Sequence, residues 1–171
     1  MKIFVTGADG LLGSNLVREL LADGHEVKVF IEKEKPSPSL AGLDVERTEG
    51  DLVKDREALG QAMAGCDCVF HCAAITDQWA APEVTWKVNL EGTRNVLDAC
   101  MENNIKRLVA VGSASSFKFG TKQAPADEQG PFPDVYKGIA YMESKHEAAQ
   151  LVKKYVREKA WTPSLSLPPS L

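Results

Sequence analysis

A short apolar run, Met1-Lys2-Ile3-Phe4-Val5-Thr6, gives way to three glycines at three-residue spacing in Gly7-Ala8-Asp9-Gly10-Leu11-Leu12-Gly13. Beyond them, Leu12, Leu16 and Leu20, with Leu11 and Leu21, recur at helical spacing. The segment reads as strand, glycine turn, helix. Gly7 permits a tight exit from the strand, Gly10 lets a backbone approach a pyrophosphate, and Gly13 lets the helix lie close on a sheet. The spacing differs from the commoner Gly-x-Gly-x-x-Gly, and glycine triplets also occur in purely structural turns. Placement after the first strand and at the opening of a helix favours nucleotide binding. We therefore assign Gly7, Gly10, Leu11, Leu12 and Gly13 to a dinucleotide.

The rest of the chain repeats the alternation. Strands are expected at Glu26 to Ile31, Val45 to Glu49, Cys68 to Cys72 and Arg107 to Val111. Helices are expected at Asp55 to Ala64, Val84 to Met101 and Tyr136 to Glu158, and residues 113–134 read as loop. Strands that are continuous apolar runs, separated by helices, imply a parallel sheet covered on both faces. Right-handed crossovers then give an α/β, doubly wound fold with strand order 3-2-1-4-5 and a ligand crevice at the carboxyl ends of strands 1, 4 and 5. With 44% hydrophobic residues among 171, one core needs no staples. Residues 1–158 form the expected nucleotide-binding domain. Residues 159–171 read as an irregular tail or a degraded sixth strand at Ser164 to Leu167.

The net charge of -4 comes from interspersed acids and bases, which argues against nucleic acid or an anionic membrane as partner. No apolar run approaches a bilayer-spanning length, so we expect a cytoplasmic protein. Cys66, Cys68 and Cys72 crowd into one segment, but they alternate with apolar residues, and neither they nor Cys100 form paired Cys-x-x-Cys units. They are read as buried small hydrophobes, and His25, His71 and His146 as structural or surface residues; no metal is assigned. At the end of strand 2, Glu32 favours NAD by repelling a 2'-phosphate. Lys33 and Lys35 would compensate if turned inward, which leaves NADP open.

Four further segments carry a resemblance: Gly50-Asp51-Leu52 after strand 3, His71-Cys72-Ala73-Ala74 after strand 4, Val88-Asn89-Leu90-Glu91-Gly92-Thr93 in the long helix, and Tyr141-Met142-Glu143-Ser144-Lys145 in the last helix. In order and spacing they resemble the extended short-chain dehydrogenases/reductases, the NAD-dependent epimerase/dehydratase group. Sugar epimerases, dihydroflavonol reductases and 3-beta-hydroxysteroid dehydrogenases look nearest. The resemblance implies that Asp51 and Leu52 meet the adenine, that Cys72, Ala73 and Ala74 line the cofactor, and that Asn89 supports the active site. It makes Tyr141 the acid/base for a substrate hydroxyl or carbonyl, with Lys145 also holding the ribose. Four-residue spacing puts both on one helical face, where an ammonium stabilises a phenolate. Tyr155 and Lys159 repeat the pattern, but about 21 Å further along a helix, away from the crevice. Ser113 matches the family's catalytic serine without gaps; Ser115 is the alternative.

Extended members continue into a substrate-binding domain, which this chain is expected to lack, with little turnover as the consequence. Two function classes stay open: an NAD(P)-dependent oxidoreductase or epimerase acting on a small molecule, and a non-catalytic nucleotide-binding module. The family also implies a homodimer through the helices carrying Asn89 and Tyr141, with Val96, Cys100, Ala148, Leu151 and Val152 as candidate contacts.

Overall fold

The computed structural model describes residues 1–127, 130–159 and 164–166. Its strands are β1 (Lys2–Thr6), β2 (Glu26–Ile31), β3 (Glu46–Glu49), β4 (Cys68–His71), β5 (Arg107–Val111) and β6 (Ser164–Ser166). They form one sheet in the order β3-β2-β1-β4-β5-β6, and every pairing is parallel. The expected order of the first five strands holds. Ser164–Ser166 is a true sixth strand, with Ala110 of β5 opposite Leu165. The rest of the expected tail, 160–163 and 167–171, lies outside the described residues.

Alternation along the strands supplies both faces of the sheet. Phe4, Phe30, Val69, Leu108 and Ala110 face a core built with Leu59, Met63, Val96, Leu97, Leu151 and Val152. Ile3, Val5, Val27, Val29, Ile31 and Cys68 face the other, packed with Val17, Leu20 and Leu40. This is the arrangement that continuous apolar strands require. Helix α1 (Leu11–Ala22) buries Gly13, Ser14, Val17 and Leu20, whereas Leu11 is 87% and Leu12 52% exposed. The buried stripe keeps Leu20 but takes Gly13 and Val17 in place of Leu12 and Leu16, because Gly13 must sit against the turn.

Two helices differ from expectation. The long helix is not continuous: α3 (Pro82–Trp86) passes into a wider π-helical turn at Lys87–Gly92 before α4 (Thr93–Glu102). The last helix, α5 (Ala140–Lys159), starts four residues late. A 3-10 turn at Asp134–Tyr136 and Gly138 at φ 85° precede it. The Glu143 carboxylate then accepts from the Gly138 amide at 3.0 Å, so the chain turns before the helix begins. Helix α2 spans Arg56–Met63.

The candidate dimer contacts are corrected by burial. Val96, Cys100, Ala148, Leu151 and Val152 are all buried within the single chain. Their helical stripe packs α4 and α5 onto their own sheet, so it is not free to meet a second copy. Tyr155 is also no free surface residue: its hydroxyl donates to Asp98 of α4 at 2.6 Å.

Candidate cofactor cleft and active site

The carboxyl ends of β1, β2 and β4 and the segment after β3 border a cleft of about 360 Å3. Gly7, Gly10, Glu32, Asp51, Leu52, Cys72, Ala73 and Ala74, all named as cofactor-binding candidates in the sequence, line it. Gly7 has φ 65°, a left-handed conformation that favours glycine, and a Cβ there would stand 2.5 Å from the Ala73 nitrogen. A Cβ on Gly13 would overlap the Gly7 carbonyl, so this glycine serves close packing inside the turn. Gly10 is the N-cap of α1 and offers no side-chain cap, which leaves the first amides of the helix for an outside acceptor. Gly13, Leu11 and Leu12 contribute no side chain to the cleft wall; the leucine side chains point largely to solvent.

The charged residues divide their work. Asp51 Oδ1 accepts from the Val53 and Lys54 amides at 2.8 and 3.2 Å, fixing the turn after β3. Glu32 at the cleft pairs with Lys35 at 3.2 Å, while Lys33 turns away to Asp55 at 2.8 Å. Their shared hydrogen bond raises the proton affinity of Lys33 and lowers that of Asp55. Of the two lysines considered in the sequence, Lys35 alone borders the cleft. Ile75 and Val88, which sequence reasoning missed, also line it. Their signal was adjacency to Ala74 and Asn89.

At the carboxyl end of β5, Ser113 Oγ lies 2.7 Å from Ser115 Oγ. The two candidate serines are therefore hydrogen-bonded neighbours. Lys145 projects from α5 to the same strand end and donates to the Val111 carbonyl at 2.7 Å. It is only 8% exposed. Burial pulls its pKa down from 10.5 to about 8, with Cys72 opposing. Tyr141 is half-buried one helical turn earlier. Among the described residues no hydrogen bond joins its hydroxyl to Ser113, Ser115 or Lys145; such contacts commonly tighten only around a bound substrate.

Asn89 is the hub. Its Oδ1 accepts from the Ile75 amide at 2.8 Å, and its Nδ2 donates to the Ile75 carbonyl at 3.1 Å and to Ser144 Oγ at 3.0 Å. Ser144 in turn donates to the Tyr141 carbonyl at 3.0 Å. One fully satisfied amide thus ties the cleft wall to the helix of Tyr141 and Lys145, and the π-helical turn is where it sits. Such turns recur at functional sites. Of the cysteines, Cys66, Cys68 and Cys100 are buried and Cys72 is half-buried, with burial pushing the Cys72 thiol up to about 11. Among the described residues no group of three or more His, Cys, Asp or Glu is placed to hold a metal ion. Among them too, no helix is long and apolar enough to cross a membrane.

Comparison with known proteins agrees with this geometry. The chain is 35% identical over 153 residues to a 4-hydroxy-2-methyl-3-oxo-4-farnesyl-3,4-dihydroquinoline-1-oxide ketoreductase of Stigmatella aurantiaca, covering 89% of this chain and 45% of that protein. It is 34% identical over 158 residues to a 3-beta-hydroxysteroid dehydrogenase of Mycolicibacterium neoaurum, covering 88% and 42%. The chain thus spans less than half the length of these relatives. The UDP-glucose 4-epimerase of Thermus thermophilus, solved in complex with NAD, superposes with a TM-score of 0.83 at 25% identity, over 96% of this chain and 54% of that one. A profile of the NAD dependent epimerase/dehydratase family matches residues 3–170, and the chain belongs to that family.

Proposed function

We propose that this chain binds NAD in the cleft and uses Tyr141, Lys145 and a serine to move a proton at a secondary alcohol or ketone. The observation that carries the reading is convergence. The glycine turn and the Glu32 carboxylate border one cleft and the buried Lys145 ammonium lies at the end of β5, all along the carboxyl edge of one parallel sheet, where open α/β sheets bind ligands. The residues fit a dinucleotide. Gly7 and Gly13 let the turn pack against its own backbone and against Ala73 where no Cβ would fit, which sets the start of α1 at the cleft; the uncapped α1 terminus suits a pyrophosphate, and Glu32 suits an unphosphorylated ribose. Bound NAD supplies the hydride acceptor or donor. Asp51 and Leu52 would hold the adenine end, and Cys72, Ala73 and Ala74, which line the same cleft, would contact the cofactor.

Tyr141 gives or takes the proton of the substrate oxygen, and the Lys145 ammonium favours the phenolate that results. The Ser113–Ser115 pair holds the substrate oxygen with a hydroxyl. Asn89 keeps α5 in register with the cleft. An apolar alcohol or ketone suits the site better than a nucleotide sugar. Trp79, Phe119 and Val135, on the segments leaving β4 and β5, are 94%, 58% and 75% exposed, and the curated relatives described above are named for keto and hydroxy substrates.

The test combines calorimetry with NAD and NADP and an assay of cofactor reduction on hydroxysteroid, flavanol and nucleotide-sugar substrates. The expected result is NAD binding, with slow turnover confined to the apolar alcohols and abolished in Tyr141→Phe. Binding without turnover on any substrate would reduce the chain to a nucleotide-binding module. No heat at millimolar NAD with the protein folded would overturn the reading.

A further inference from the structure

The last residue of β4, His71, is 4% exposed and plays no part in the reaction above. Both ring nitrogens are nevertheless engaged. Nδ1 lies 2.7 Å from Thr6 Oγ1, and Nε2 lies 3.0 Å from Thr93 Oγ1. The far end fixes the direction of these bonds. Thr93 Oγ1 donates to the Asn89 carbonyl at 2.6 Å, and a hydroxyl has a single proton. Toward the ring it can therefore only accept, so Nε2 carries hydrogen.

Burial, with Lys145 adding repulsion, lowers the His71 pKa from 6.5 to about 3. The ring is therefore neutral, and Nδ1 is a bare acceptor for the Thr6 hydroxyl. The Thr6 oxygen then accepts from the Ala73 amide at 3.4 Å. Every bond points one way: Ala73 amide to Thr6, Thr6 to His71, His71 to Thr93, Thr93 to the Asn89 carbonyl. At one end Ala73 lines the cofactor cleft. At the other, the Asn89 side chain holds Ser144, the neighbour of Lys145.

We propose that His71 is a positioning residue whose single tautomer links the cofactor wall at Ala73 to the Asn89 turn, so that cofactor binding and the catalytic helix share one register. The inference rests on the functional reading above. The chain requires an acceptor and a donor on opposite sides of one rigid ring, which neutral imidazole provides and an apolar side chain does not. An apolar residue of the same volume would leave Thr6 and Thr93 without their shared partner.

Two measurements on the full chain test it. Long-range proton–nitrogen spectra of the imidazoles, assigned with His71→Gln, should show for His71 a protonated Nε2 and a bare Nδ1 between pH 8 and pH 5. The opposite tautomer, or titration within that range, overturns the proposal. Thr93 does not line the cofactor cleft, so Thr93→Val removes a link without touching the cofactor. It should weaken NAD binding about 3- to 10-fold, the effect of one net hydrogen bond, and Thr93→Ser should restore it. Unchanged affinity in folded Thr93→Val overturns the coupling. If the unmodified chain binds no NAD, the functional reading fails, and the spectra alone decide the tautomer.

Discussion

Replacing Lys145 with methionine should make the protein more stable at neutral pH while removing its function. The ammonium is held in a nearly dry site, and its pKa falls from 10.5 to about 8. At about 1.4 kcal/mol per tenfold change in proton affinity, that difference corresponds to about 3 kcal/mol of folding free energy lost by keeping the group charged. The window follows from the two values. Below about pH 8 both folded and unfolded chains hold the proton, and the full penalty applies. Between about 8 and 10.5 the unfolded chain still holds it and the folded chain does not, so stability rises with pH. Methionine fills a similar volume without charge but loses the donor to the Val111 carbonyl, at a cost of about 1 kcal/mol. Lys145→Met is thus expected to gain about 2 kcal/mol at pH 7. Urea unfolding of both proteins at closely spaced pH values is the assay. The difference between them should shift toward the unmodified chain by about 3 kcal/mol across the window, other lysines cancelling. A difference that does not vary with pH would refute the argument, as would Lys145→Met being less stable throughout.

Three further outcomes are expected. Gly7→Ala should lose NAD binding and cost about 2 kcal/mol or more of stability, since it combines a left-handed φ with a Cβ against the Ala73 backbone; calorimetry and thermal unfolding check both. Glu32→Arg should move preference toward NADP, because it breaks the pair with Lys35 and leaves two cations at the cleft; unchanged relative affinities would place Glu32 away from the ribose. Tyr141→Phe should leave NAD affinity within about twofold while abolishing turnover, which parallel titration and single-turnover assays separate.

Much of this architecture was legible because parallel strands buried on both faces announce themselves as apolar runs, and the runs at Glu26 to Ile31 and Arg107 to Val111 coincide with β2 and β5. Gly7 was legible because only glycine fits its conformation and its neighbour. What periodicity could not reveal is which partner an apolar stripe meets. Val96, Cys100 and Leu151 read equally well as interface or core, and the structure puts them in the core. The π-helical turn at Lys87–Gly92 carries no proline, and its one glycine, Gly92, is tolerated within ordinary helices, so nothing local distinguishes it from one. His71 read as an unremarkable buried residue because its partners, Thr6 and Thr93, are 65 and 22 positions away. Ser113 and Ser115 competed for one role because spacing alone could not show their hydroxyls joined.

The wide turn between α3 and α4 acts as a phase adjuster. An α-helix advances about 100° per residue, so the rotation of everything after Gly92 depends on how many residues that turn holds. As built, it points Asn89 at the site and Val96, Leu97 and Cys100 into the core. Deleting one residue between Lys87 and Gly92 would let the turn close to ordinary α-helix, in which about five residues sweep the rotation that about six sweep in the wider turn, so α4 would keep its seat while the Asn89 amide rotated away from Ile75 and Ser144. The length of that turn therefore constrains this protein as strictly as the identity of any residue within it.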